Sequence, residues 1–218
     1  MDVRLKGEEI MSVIFTTIAN EFIILCADRQ RTSSVTGEVQ VDAVTKVQKL
    51  SPEIAIGRCG NLGLCEIIFS AVQDFLKNNE NENLSIEDLA DLFCQYYHIV
   101  RDENNDILDN IVSIFILAGK LSSNKLGAII VTLGNNTTDT KIVESSEIPV
   151  TIILEPPDVS SEECNQLFNK ATTYIKKNNK YHQDLLEATH QKAVRYVSEQ
   201  SKYVGYKSDY VFISSNNI

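Results

Sequence analysis

Apolar residues run almost unbroken over residues 13–19 and again over 22–27, and the polar pair Asn20-Glu21 divides the two runs. β-Branched and aromatic runs of this length, split by a turn pair, predict a hairpin whose strands are buried on both faces. A polar stretch from Arg29 to Gly37 leads to two more expected strands, over 43–50 and 54–58, broken at Ser51-Pro52. The period then changes. Leu64, Ile67, Ile68, Ala71, Val72 and Phe75 share one face of a helix that opens after Gly60-Asn61. Ser85 and Asp88 have capping-box spacing and predict a second helix, running to about Val100. Three strand-like runs follow, over 111–117, 126–133 and 140–143, with Asn135-Asn136 in the turn, and 150–154 is one more, stopped by Pro156-Pro157. Ser160 and Glu163 repeat the capping-box spacing ahead of a helix with Cys164, Leu167, Phe168, Ala171, Tyr174 and Ile175 on one face. A fourth helix is expected over 182–202, with Gly205 as its stop, and Tyr210 to Ile213 form a last strand.

The order is four strands, two helices, three or four strands, two helices and one strand. No internal repeat, low-complexity tract or domain boundary interrupts it. The expected fold is α+β. Two sheets and two helix pairs suggest a four-layer αββα sandwich with helices outside, which buries both faces of strands that are apolar at nearly every residue.

Composition narrows the picture. The 218 residues are long enough for one well-buried domain. A formal net charge of −10 and the lack of a basic stripe argue against a nucleic-acid partner. Lys176, Lys177 and Lys180 read as the charged end of a helix. The cysteines Cys26, Cys59, Cys65, Cys94 and Cys164 form no C-x-x-C pair, and most read as buried thiols of a reducing compartment. His98, His182 and His190 have no metal-ligand spacing and read as helix-surface or partly buried residues. Neither a signal peptide nor a membrane-spanning run is present, so the expected address is the cytoplasm, with no membrane partner. No metal or organic cofactor is implied.

The candidate chemistry lies in residues 12–60. Ser12 opens the first strand, Asp28 ends the second, Lys46 falls in the third, and Gly60 closes the fourth. A hydroxyl does not ionise at neutral pH, but the α-amine of an N-terminal residue, with a pKa of roughly 8, is a suitable base for it. A lysine beside the nucleophile adds positive charge, an acid holds that lysine, and a backbone N–H at a glycine receives the oxyanion. Each residue also has a plain reading: Ser12 as a strand serine, Asp28 as a turn cap, Lys46 as a surface lysine, Gly60 as a helix-entry glycine, and Arg58 as a surface arginine. Asp28 stands out because an acid after five apolar residues is costly to bury without a partner. No histidine sits near an apolar strand end, which leaves a Ser–His–Asp triad without support.

Ser12 to Ala19, Ile23 to Arg29, Thr45-Lys46-Val47 and Gly57 to Gly60 together resemble the proteasome subunit family of N-terminal nucleophile (Ntn) hydrolases, which includes the HslV-type peptidases. The match is densest over residues 12–75, and the element order extends it to nearly the whole chain. The resemblance implies the αββα sandwich. It makes Ser12 the nucleophile in place of the family's threonine, Lys46 the catalytic lysine with Asp28 behind it, and Gly60 the oxyanion-hole glycine. Arg58 would line the pocket for the side chain before the cut, and an arginine there favours acidic residues. The late Asp-x-x-Ser pair that supports the nucleophile's amine maps onto Ser198 and Ser201, with serine in the acid's place. Glu155-Pro156-Pro157 stands where the family often has a Ser-Gly-Ser turn. Residues 1–11 would be an extension or propeptide ahead of a single domain over 12–218, or Met11 would be the true start.

Three functions follow from these readings. One is a ring-forming, self-compartmentalising peptidase acting on peptide or unfolded-protein substrates, with a possible ATP-dependent unfoldase partner. The second is a non-catalytic ring or scaffold subunit of the α type. The third is an Ntn amidase acting on a small molecule, since the fold hosts several amide hydrolyses.

Overall fold

The computed structural model describes residues 12–32, 39–40, 44–78, 84–103, 111–134, 137–178 and 183–215 of the chain. Met11 and the extension before it, Gly37, Asn135-Asn136, Lys180 and His182 lie outside the described residues, as do the side chains of 174–178. In chain order the elements are β1 (Ile14–Ile18), β2 (Phe22–Asp28), β3 (Arg31–Thr32), β4 (Val39–Gln40), β5 (Val47–Lys49), β6 (Ala55–Gly60), α1 (Leu62–Asn78), α2 (Ile86–Glu103), β7 (Val112–Lys120), β8 (Leu126–Gly134), β9 (Thr137–Glu144), β10 (Val150–Leu154), α3 (Ser161–Asn178), α4 (Gln183–Ser198) and β11 (Ser208–Ser214).

Two antiparallel sheets carry the fold. One has the order β10-β1-β2-β11 and the other β5-β6-β7-β8-β9, while β3 and β4 pair apart from both. The hairpin read at Asn20-Glu21 is the β1–β2 pair, with Ile18 opposite Ile23 and Ile14 opposite Ala27. Alternation along β1 and β2 directs successive side chains to opposite faces. Ile14, Ile18, Ile23 and Leu25 point into a cluster shared with Val47, Ala55, Ile114 and Ile116 of the other sheet. Val13, Phe15 and Cys26 meet Cys164, Phe168, Ala193 and Val194 of α3 and α4. On the far side of the five-stranded sheet, Ile56, Phe115, Leu117 and Ile129 meet Leu64, Ile68, Leu89 and Phe93 of α1 and α2. Every residue of β1 and β2 is buried, which is why both read as continuous apolar runs rather than alternating ones.

Local signals set the helix starts. Asn61 Oδ1 accepts the N–H of Leu64 at 3.0 Å and caps α1. Both capping boxes form: Asp88 N donates to Ser85 Oγ and Ser85 N to the Asp88 carboxylate, and Ser160 and Glu163 repeat the pattern. The bonds at Ser85 hold the Asp88 carboxyl below its ordinary range. Several boundaries differ from the sequence reading: β7 runs on to Lys120, β6 to Gly60, and the short pair β3–β4 forms where a polar loop was expected. β9 begins three residues before the expected 140 because its side chains are mostly exposed and carry no apolar pattern. The strand expected over 43–50 shortens to β5, and Lys46 lies in the segment leading into it. α4 ends at Ser198, so the chain turns well before Gly205.

Candidate active site

Asp28 ends β2 with its side chain fully buried. Its carboxylate gathers four chain segments. Oδ1 accepts Val13 N at 3.1 Å, from the residue after Ser12. Oδ2 accepts Gln30 N at 2.9 Å, two residues on, and Gly205 N at 3.3 Å from the loop beyond α4. Lys46 Nζ donates to Oδ1 at 3.0 Å and to Oδ2 at 2.9 Å. The partner that a buried acid requires is therefore Lys46, itself 1% exposed.

Lys46 Nζ has a third acceptor, Ser12 Oγ, at 2.6 Å. An ammonium has three donors, and here two go to Asp28 and one to Ser12. Ser12 is itself 4% exposed. The geometry thus joins Ser12, Lys46 and Asp28 in one buried contact, with positive charge held against the hydroxyl oxygen. Such a cation stabilises negative charge developing on that oxygen, and the carboxylate fixes the cation's position. The Lys46 segment is tied to β6 by Arg58 N, which donates to Lys46 O at 2.8 Å.

Gly60 closes β6 opposite Ser113 at φ +89°, and a Cβ there would lie 2.4 Å from Val112 O. The backbone therefore requires glycine at this position whatever chemistry takes place beside it. Arg58 is half-buried. Its Nε and Nη2 donate to Thr45 O at 3.3 and 3.1 Å, and the guanidinium lies 5.0 Å from the Phe69 ring centroid. That fixes the arginine beside the segment carrying Lys46. Cys59, also on β6, is fully buried, and burial pushes its thiol well above the ordinary range, so it supplies no thiolate.

The two late serines part company. Ser198 Oγ donates to Arg195 O at 2.7 Å, within its own helix. Ser201 is buried, and its Oγ donates to Asp158 Oδ1 at 2.6 Å while accepting Tyr203 N at 3.1 Å. Asp158 Oδ2 also accepts Lys202 N at 3.0 Å. Gln30 Nε2 donates to Lys202 O at 3.0 Å, and Gly205 N reaches Asp28, so this loop closes over the acid. Asp158 and Gly205 are the positions that the sequence reading missed. Pro156-Pro157 marked a turn and Gly205 a helix stop, and the partners lie 43 and 177 residues away in sequence.

The histidines need one correction. His98 is exposed, but His190 is 1% exposed rather than on the helix surface. Its Nε2 is 2.8 Å from Thr17 Oγ1, which is 3.0 Å from Thr151 Oγ1, and Nδ1 is 2.8 Å from Leu186 O. A carbonyl only accepts, so Nδ1 carries the proton and Nε2 accepts from Thr17. Burial holds this imidazole down to about 4, hence neutral. Among the described residues no His/Cys/Asp/Glu cluster is placed to hold a metal ion, and no described helix is long and apolar enough to cross a membrane.

No protein-family model and no curated protein matches this sequence. Solved structures do match in fold. Anbu (ancestral beta-subunit) from Yersinia bercovieri superposes with a TM-score of 0.67 at 13% identity, over 93% of this chain and 81% of that one. Anbu from Pseudomonas aeruginosa, solved as a helical assembly, gives 0.67 at 10% identity over 94% and 83%. Eukaryotic HslV from Trypanosoma brucei gives 0.55 at 14% identity over 93% and 99%. The chain has a proteasome-like fold.

Proposed function

We propose that the chain is a proteasome-like Ntn hydrolase that cuts peptide bonds with Ser12 as nucleophile. In this reading residues 12–218 form one four-layer αββα domain, and residues 1–11 are an extension that must be removed. The observation that carries it is the buried contact of Ser12 Oγ with Lys46 Nζ at 2.6 Å, backed by Asp28 on both carboxylate oxygens.

The steps balance on this chain's own groups. Once freed, the Ser12 α-amine takes the hydroxyl proton as Oγ bonds to the substrate carbonyl carbon. The resulting oxyanion is received at the Gly60 N–H, and Lys46 stabilises charge around Oγ. Collapse breaks the C–N bond, the leaving amine takes the proton from the α-amine, and water then hydrolyses the ester. Asp28 positions Lys46. Ser201, held by Asp158, and Ser198 would support the freed amine. Arg58 would favour an acidic side chain before the cut. Self-association is supported by the Pseudomonas Anbu helical assembly, and in this reading the subunits close into a ring. An unfoldase would feed such a chamber, which would be cytoplasmic.

One observation favours the scaffold reading instead: Ser12 is buried, and in the 218-residue sequence its nitrogen lies in the Met11–Ser12 peptide bond. Intact mass of a C-terminally tagged protein from its own host separates the two. A chain starting at Ser12, with peptide hydrolysis abolished in Ser12→Ala at unchanged assembly, is the expected result. A chain retaining Met1 and hydrolysing nothing assigns the scaffold role.

A further inference from the structure

We propose that a groove beside the C-terminal half of α4 binds a small polyanion, a molecule carrying clustered phosphate or carboxylate groups. The groove has a volume of about 660 Å³, and its walls include Arg29, Lys192, Arg195, Tyr196, Tyr206 and Lys207. Among the described residues its walls carry four Lys and Arg residues and, in Glu199, one acidic residue. On a chain of net charge −10 this is a local reversal of sign.

The cations converge from three segments. Lys192 and Arg195 stand one turn apart on the exposed face of α4, Arg29 follows the end of β2, and Lys207 precedes β11. Arg29 N donates to Lys207 O at 3.1 Å, which fixes two of these segments to each other. Arg29 Nη1 is 3.3 Å from Asp209, and Arg195 Nε is 4.0 Å from Glu199. These contacts orient the two arginines, and among the described residues four cations line the groove against these two carboxylates. Lys192 Nζ and Lys170 Nζ both lie over the Tyr196 ring, at 5.5 and 4.6 Å from its centroid. Arginine forks and lysine ammonium groups together suit several anionic oxygens at once.

Size and field select a small ligand. A volume of this order is that of a small-molecule site. A long nucleic-acid polyanion would extend beyond the groove along a chain whose net charge of −10 opposes it. The groove also lies against the strand pair that carries Asp28, because Ser208 on its wall sits opposite Asp28 in the β2–β11 register.

The test is calorimetric titration of the full chain with inorganic tripolyphosphate and, separately, with citrate at fixed ionic strength. Saturable binding of one anion per chain is expected with at least one of them, and the better ligand identifies the favoured oxygen chemistry. The variant K192E/R195E should bind about tenfold more weakly or worse. Raising NaCl from about 50 to about 500 mM should weaken binding further. K77E, which changes an exposed lysine on α1, should bind like the wild type. Lys192 and Arg195 are exposed, and K192Q/R195Q provides a second variant whose native circular dichroism confirms folding. No saturation by either anion up to about 5 mM overturns the proposal. So does wild-type binding in folded K192E/R195E and K192Q/R195Q, or an equal loss in K77E. Heat of binding is read rather than hydrolysis, so the outcome is independent of Ser12.

Discussion

Replacing Lys46 by methionine measures how much of the fold rests on the buried ion pair. Methionine keeps the length and most of the volume of the lysine stem, so packing is nearly conserved. What is removed is an ammonium donating to both Asp28 oxygens, from a pair whose side chains are 1% and 0% exposed. Breaking a buried ion pair by deleting one member costs about 3–5 kcal/mol, because the surviving charge stays in a low-dielectric site. Val13, Gln30 and Gly205 still donate to Asp28 through their backbone N–H groups. These bonds hold the expected loss to about 3 kcal/mol, a large share of a typical domain's stability. The double variant D28N/K46M leaves no buried charge, so the two single losses should overshoot the double one by about 2 kcal/mol. Urea unfolding followed by circular dichroism, with m unchanged across the four proteins, gives the numbers. A K46M loss below about 1 kcal/mol, or single losses that simply add, would refute the claim that this pair organises the site.

Three further predictions concern the surroundings. The unfolded chain protonates His190 near 6.5 but the folded chain only near 4, so stability should fall by roughly 3 kcal/mol as pH drops through that window. Denaturation of wild type and His190→Gln at pH 7 and pH 4.5 checks this, and equal slopes with pH would contradict it. Gly60→Ala should cost about 2–4 kcal/mol, since it strains a positive φ and sets a methyl against Val112 O. An unchanged melting temperature would show that the backbone does not require glycine there. Burial pushes the thiols of Cys26, Cys65 and Cys164 up to about 12 and raises Cys59 as well, so only half-buried Cys94 should react within minutes with a disulfide reagent in the native state. Two or more fast thiols would be inconsistent with the described packing.

What could be read from the sequence depended on whether a residue's environment was written near it. β1, β2, β7 and β8 announced themselves because they are buried along nearly their whole length and so are apolar throughout. The two capping boxes were legible because their partners are three residues apart. Asp28 and Lys46 could be singled out by charge against an apolar background, although nothing local showed that they touch. His190 sits in a helix whose neighbours are largely polar, and its partner Thr17 is 173 residues away, so its burial left no local trace. Asp158 and Gly205 were hidden for the same reason, since their roles are set by loops that meet only in the folded chain.

The Asp28 cluster also dictates an order of events during synthesis. In its sheet β2 lies between β1 and β11, and β11 is made after every other described strand. Until residues 205–214 leave the ribosome, one edge of a fully buried apolar strand has no partner, and Asp28 lacks the Gly205 N–H. A nascent chain must shield that edge by other means, because an open apolar strand recruits foreign strands. Ser12, made before β2, thus waits until the chain has reached Gly205 before its surroundings are complete. Delay of this kind keeps the Asp28 cluster incomplete until Gly205 has been made.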